Sequence, residues 1–188
     1  MSYERVKAWL DARGMAGRAL EFDRSSATVP LAALAVGVEE ARIAKTLSFR
    51  APNGGALLIV AAGDARVNNA AFKARFGCKA RMLTAQEAVE ETGHAVGGVC
   101  PFALKPGVQV CLDESLRRFD SVYPACGSAS SAVRLSPDEL QALSGERIRV
   151  SEWRPDEPDP RAAVEPWPDE PGPPVTQERS GEVGDRSL

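Results

Sequence analysis

The stretch Ile43-Ala44-Lys45-Thr46-Leu47-Ser48-Phe49, the turn Pro52-Asn53-Gly54-Gly55 and the run Ala56-Leu57-Leu58-Ile59-Val60-Ala61 decide the fold. The first segment is apolar and β-prone apart from Lys45. The third is apolar at every position, which marks a central strand covered on both faces. The Asn-Gly pair between them signals a hairpin. A hairpin with one strand buried on both sides needs a sheet with other elements packed above and below it.

Working outward, helical and strand signals alternate at uneven spacing. Tyr3, Val6, Trp9 and Leu10 share one helical face, closed by Gly14. Ala19-Leu20-Glu21-Phe22 reads as a short strand. Thr28 has the chemistry of an N-cap, with Pro30 in the first turn and Leu31, Leu34 and Val38 on one stripe. Asn68 or Asn69 caps a helix carrying Phe72 and Phe76. Thr84-Ala85-Gln86-Glu87 and Ser136-Pro137-Asp138-Glu139 are capping boxes, the first opening a helix to about Glu91.

Val108 to Leu112, Ser121 to Ala125 and Arg147 to Val150 read as strands, with a helical turn from Glu114 to Phe119. Pro124 restricts its strand to an edge, an end or a bulge. Together these elements predict a mixed α/β (α+β) fold: a mixed, barrel-like sheet surrounded by helices rather than a regular doubly wound one.

At 188 residues, 44% hydrophobic and 26% charged, the chain has the composition of a globular protein with an ordinary core. No apolar run approaches the length that spans a bilayer, and the N-terminus has no apolar signal-peptide region. The expectation is a cytoplasmic protein with no membrane partner. Cys78, Cys100, Cys111 and Cys126 have no C-x-x-C spacing, and His94 is the single histidine. Free thiols and no metal site are expected.

The net charge of −3 hides an asymmetry. Residues 155–188 hold nine acids and three bases, which leaves 20 bases against 17 acids in residues 1–154. Eight of the fourteen prolines also lie beyond Trp153. The sequence therefore divides into a mildly basic folded domain, 1–154, and a proline-rich acidic tail, 155–188, read as disordered. A basic face is compatible with a polyanionic partner.

Chemistry points to three places. Lys45 shares its strand face with Ile43, Leu47 and Phe49, so its ammonium either reaches the rim or projects into a cavity, where an anion would offset the cost of burial. The run Thr92-Gly93-His94-Ala95-Val96-Gly97-Gly98-Val99-Cys100-Pro101-Phe102 suits neither helix nor strand; such a loop can aim backbone N–H groups at an oxyanion or carbonyl. Cys126-Gly127-Ser128 ends a strand with glycine and a hydroxyl and is either a second pocket wall or a plain turn. His94 is either a base, a substrate contact or a loop residue with a satisfied ring. Cys100 lacks a neighbouring cation or helix start to form a thiolate.

Taken together these residues resemble the YbaK/ProX family of aminoacyl-tRNA deacylases, related to the editing insertion of bacterial prolyl-tRNA synthetases. The segments that match, in order, are Ala41 to Leu47, Ala62 to Asn68, Thr92 to Phe102 and Cys126 to Ser128. The resemblance implies hydrolysis of the ester joining a wrong, small amino acid to the terminal adenosine of a mischarged tRNA, with no metal or organic cofactor. It implies that Lys45 grips the phosphate or ribose end of that adenosine. Gly97, Gly98, Val99, Cys100 and Pro101 hold the aminoacyl carbonyl, and Thr46, His94, Phe102, Gly127 and Ser128 line the substrate. An aminoacyl-tRNA synthetase is an implied partner. Cys100 stands where many relatives have serine, and Ser128 where they often have glycine. Two other readings are a non-catalytic module that binds a nucleotide or tRNA end, and a cysteine-dependent hydrolase built on Cys100 and His94.

Overall fold

In chain order the elements are α1 (Ser2–Asp11), β1 (Ala19–Glu21), α2 (Val29–Val36), a 3-10 turn (Glu40–Arg42), β2 (Ile43–Arg50), β3 (Ala56–Ala62), β4 (Arg66–Val67), α3 (Asn69–Phe76) and α4 (Ala85–Thr92). They continue with β5 (Gln109–Asp113), a second 3-10 turn (Glu114–Arg118), β6 (Tyr123–Pro124), β7 (Ser131–Val133), α5 (Pro137–Ser144), β8 (Glu146–Ile148) and β9 (Ser151–Glu152). This is a computed structural model whose described residues are 2–152; the segment expected to form a tail from residue 155 lies outside them.

The hairpin forms as its sequence requires. β2 and β3 pair antiparallel from Ala44↔Ala62 to Arg50↔Ala56, and the Ala51 N–H bonds the Gly55 carbonyl across the turn at 3.1 Å. All seven residues of β3 are buried. One face carries Leu57 and Ile59 into a cluster with Phe49, Phe72, Ile148 and Val150. The other carries Val60 and Ala62 into a larger cluster with Val6, Leu10, Cys100, Phe102 and Leu135. Leu57, Leu58, Ile59 and Val60 are wholly buried, each worth about 1.5–3 kcal/mol of transfer free energy.

The central sheet has the order β6-β2-β3-β5-β8. β2 and β3 are antiparallel while β6, β5 and β8 join in parallel, so the sheet is mixed. Single bridges, Val122↔Leu135 and Ala125↔Ala132, extend it from β6 towards the two-stranded β1–β7 ribbon. A second ribbon pairs β4 with β9. The pairings of the described residues thus run as an open order with ribbons at its margins. Pro124 sits in β6 at the end of the five-stranded order, where a strand tolerates a missing donor. Helix caps match the sequence chemistry: Thr28, Asn68, Thr84 and Ser136 each accept a first-turn N–H, the last two as complete capping boxes.

The β4–β9 pairing lacks any alternating run long enough to announce it. It is fixed instead by Asp113, which is 1% exposed at the end of β5. Its carboxylate accepts from the Val150 and Ser151 N–H groups at 2.9 and 3.1 Å, from the Ser115 N–H at 2.9 Å and from the Ser151 hydroxyl at 2.5 Å. One buried anion therefore holds the 3-10 turn after β5 and the chain leading into β9. Removing it leaves several buried donors unpaired, each costing about 1–3 kcal/mol. Asp113→Asn is expected to lower the unfolding free energy by about 3 kcal/mol, or roughly 6–12 °C in Tm for a domain of this size, measured by urea and thermal unfolding.

Candidate active site

Lys45 lies in β2 opposite Ala61, on the face it shares with Ile43, Leu47 and Phe49. The small Ala61 side chain leaves the lysine stem a path along the sheet. Its ammonium donates to the Gly63 carbonyl at 2.9 Å and to the Ala65 carbonyl, in the turn between β3 and β4. Two carbonyl dipoles orient the ammonium without cancelling its charge. The nearby carboxylate, Asp64, is taken instead by Arg118, whose guanidinium bonds both its oxygens at 2.5 and 2.9 Å. Lys45 forms no ion pair among the described residues. Burial pushes its pKa below the ordinary 10.5; the charge of Asp64 opposes that shift and Arg66 adds to it. A half-buried cation with no counter-ion of its own is suited to take one from a ligand.

The glycine-rich loop and the Cys126–Ser128 turn are brought together. A Cβ on Gly98 would lie 2.8 Å from the backbone of Gly127 and Ser128, so only glycine permits this backbone-to-backbone approach. Gly127, with φ at +88°, in turn sits against α1, where a Cβ would lie 2.7 Å from the Ser2 carbonyl. Ser128 is held locally: its hydroxyl bonds Ser131 Oγ at 2.9 Å. Pro101 and Phe102 are buried behind the loop, and the Phe102 ring packs on Trp9 at 5.8 Å between centroids. Val99 is half-buried at its surface.

Lys45 and this loop pair share no hydrogen bond among the described residues. They are linked through β6, whose Pro124 lies in register with Ala44, three residues ahead of Gly127. Thr46, one residue beyond Lys45, points to the other sheet face with Ala44 and Val60. Both of those pack in the same cluster as Cys100 and Phe102. The Thr46 hydroxyl is buried with no hydrogen-bond partner among the described residues.

His94 is wholly buried. Its Nε2 lies 2.8 Å from the Phe102 carbonyl and its Nδ1 2.5 Å from the Ser2 hydroxyl. A carbonyl only accepts, so Nε2 carries the hydrogen; Nδ1 then accepts from the serine O–H. Burial lowers the imidazole pKa, keeping the ring neutral. Cys100 Sγ lies 3.6 Å from Nε2, on the side that already bears a proton, so the ring has no lone pair with which to deprotonate it. Burial raises the Cys100 thiol to about 12. The pair therefore lacks the proton-accepting arrangement that activates a cysteine nucleophile.

The residues that sequence reasoning missed are the partners of the named ones. Asp64 and Arg118 leave Lys45 without a carboxylate, and Ser2 holds the far nitrogen of His94. Only the first has a sequence signal, since Asp64 falls in the segment Ala62 to Asn68 that carries the family resemblance.

Cys100, Cys111 and Cys126 are buried, with burial raising each thiol to about 12, whereas Cys78 is half-exposed. A chromogenic disulfide reagent is expected to titrate one thiol, Cys78, in the native protein and four after denaturation. A fast second thiol that disappears in Cys100→Ser would reinstate Cys100 as a reactive group.

A family model described as "Aminoacyl-tRNA editing domain" matches residues 23–143. The "Uncharacterized protein YwhH" of Bacillus subtilis (strain 168) is 47% identical over 150 residues, which is 80% of this chain and 96% of that protein. A solved structure described as a "putative trans-editing enzyme for prolyl tRNA synthetase" aligns with a TM-score of 0.74 at 33% identity, covering 80% of this chain and 97% of that one. Another, of the "hypothetical protein APE2540", aligns with a TM-score of 0.71 at 36% identity over 79% of this chain and 99% of that one. The match spans the buried hairpin, the Lys45 seat and both interlocked loops: the chain belongs to the aminoacyl-tRNA editing domain family.

Proposed function

We propose that this protein is a trans-acting deacylase that hydrolyses the ester of a mischarged tRNA carrying a small amino acid. The observation that carries the reading is the packing of Gly98 on Gly127 and Ser128, which brings the glycine-rich loop and the Cys126–Ser128 turn together backbone to backbone. Membership of the editing-domain family supports it. The description of one solved relative as a putative trans-editing enzyme for prolyl tRNA synthetase supports a synthetase as the partner whose errors are cleared.

The chemistry asks little of the protein. An ester is an activated acyl group, so a held water and a polarised carbonyl suffice. Amides of Gly97, Val99 and Cys100 orient and polarise the aminoacyl carbonyl; the Gly98 N–H is taken by the Ala95 carbonyl at 3.0 Å, so Gly98, like Pro101, shapes the loop rather than donating. Water adds to the carbonyl carbon, the bond to the ribose oxygen breaks, and that oxygen takes a proton. The products are the free amino acid and a tRNA with its terminal hydroxyl restored. Lys45 holds the phosphate or ribose end of the adenosine with the charge its carbonyl partners leave uncancelled. Thr46 and Ser128 bound the space left for the amino acid, with Phe102 and Gly127 supporting that wall from behind. Binding alone separates side chains that differ by one methylene by only about 1–3 kcal/mol, the gap that a second, hydrolytic selection step fills.

Incubation with a panel of tRNAs mischarged with Ala, Ser, Thr and Cys, among others, tests the reading by release of free amino acid. Salt-sensitive tRNA binding with no release from any of them would make the protein a binding module instead. Lys45→Ala is expected to lower kcat/KM by roughly 10²-fold, as for other charge-stabilising groups, while Cys100→Ser stays within a few-fold of the parent. The grip also has a sign in pH. The Lys45 pKa is lowered, so the ammonium and the affinity it supports are present at neutral pH and lost as pH rises through a value below 10.5. KM is expected to climb along that limb in the parent and to stay flat in Lys45→Ala.

A further inference from the structure

His94 touches no surface on which a tRNA end could rest, yet it bonds the last carbonyl of the glycine-rich loop. Three independent contacts surround that bond. The His94 N–H donates to Thr92 Oγ1 at 3.1 Å, fixing the backbone at the start of the loop. Arg5 of α1 donates to the Gly93 carbonyl at 3.0 Å. Ser2, the first residue of α1, donates to Nδ1, and its own carbonyl lies where Gly127 backs onto the helix. The residue after the held carbonyl, Ala103, adopts φ of +48°, the one left-handed non-glycine backbone among the described residues. A conformation that an L-residue avoids persists only where neighbouring contacts over-determine it. The hydrogen bond from Nε2 to the Phe102 carbonyl is the contact next to it.

We propose that His94 is a positioning residue: with its tautomer set by the Phe102 carbonyl and its Nδ1 held by Ser2, it holds that carbonyl from behind and thereby fixes the path of the Gly97–Pro101 loop. The inference rests on the deacylase reading for its kinetic consequence and assigns the ring to the far side of the loop from substrate. The relay is one-way. Ser2 O–H donates to Nδ1, Nε2–H donates to the carbonyl, and no proton leaves the chain. α1 is thus a structural part of the site, tied to the amide loop through the ring and to the opposite loop through Gly127.

The test compares His94→Leu, which removes the donor, with His94→Gln, whose side-chain amide still has an N–H to offer the carbonyl. Ser2→Ala removes the contact at Nδ1. The readouts are the backbone amide resonances of Gly97 and Gly98 in the full-length chain, and the kcat and KM of deacylation. His94→Leu is expected to shift both glycine amides and to lower kcat at least ten-fold with KM unchanged. His94→Gln is expected to bring both back towards the parent, and Ser2→Ala to produce a smaller shift and a several-fold loss of kcat. Unmoved glycine amides in His94→Leu, or equal losses in the leucine and glutamine variants, overturn the proposal. If His94→Leu does not fold, Ser2→Ala decides by the same amides: shifted supports it, unshifted overturns it. Should the parent protein release no amino acid from any mischarged tRNA, the deacylase reading fails on that result alone, while the glycine resonances still decide whether His94 sets the loop.

Discussion

The burial of β3 on both faces is the constraint on which the rest of this structure depends. A strand with no polar side chain in seven residues has no solvent side, so every neighbouring element must supply a cover. α3 and the chain around Ile148 and Val150 cover one face, and α1 with the glycine-rich loop covers the other. The glycine-rich part of the candidate site is a by-product of that second cover, while Lys45 lies on the strand face that carries Leu47 and Phe49. A loop that closes a core must bury its own backbone, and its polar groups then need partners within the protein. The loop finds them in His94 and Thr92.

Among the described residues the pair most suggestive of nucleophilic chemistry is not arranged for it. The residues usually read as chemistry-bearing, His94 and Cys100, are wholly buried and neutral in their favoured states. In the proposed reaction the work falls to backbone, and backbone amides need neither a shifted pKa nor a proton acceptor to polarise a carbonyl. The demand moves from reactivity to placement, which the Gly98 contact with Gly127 and Ser128 meets by sterics: two loop backbones meet at a distance no side chain would permit.

The hairpin, the capping boxes and the end-of-sheet position of Pro124 were legible in the sequence because each depends on residues close together in the chain. Lys45 stood out for the same reason, as a long cation within an apolar period-two run. The β4–β9 ribbon was not legible, because two-residue strands carry no periodicity and this one is fixed by Asp113, 38 positions ahead of Ser151. For His94 the sequence allowed a base or a substrate contact but favoured a loop residue with a satisfied ring, without showing which partners satisfy it. The deciding partner is Ser2, 92 positions away. Glycines announced the loop, but nothing local says that Gly98 meets Gly127 rather than solvent.

Lys45 shows how a family of contacts can hold a charge in readiness. If Asp64 were free to pair with it, the ammonium would be satisfied and any anionic ligand would have to displace a carboxylate. Arg118 prevents this by taking both Asp64 oxygens, and the ammonium is left on the carbonyls of Gly63 and Ala65. Carbonyl partners meet the hydrogen-bonding need of a buried ammonium but not its charge, and the cost of that omission appears as a lowered pKa. In the proposed function, a ligand phosphate or ribose end meets an ammonium held by carbonyls rather than by a carboxylate. The Arg118–Asp64 pair thereby keeps the Lys45 ammonium on carbonyl partners, the state that the proposed function uses.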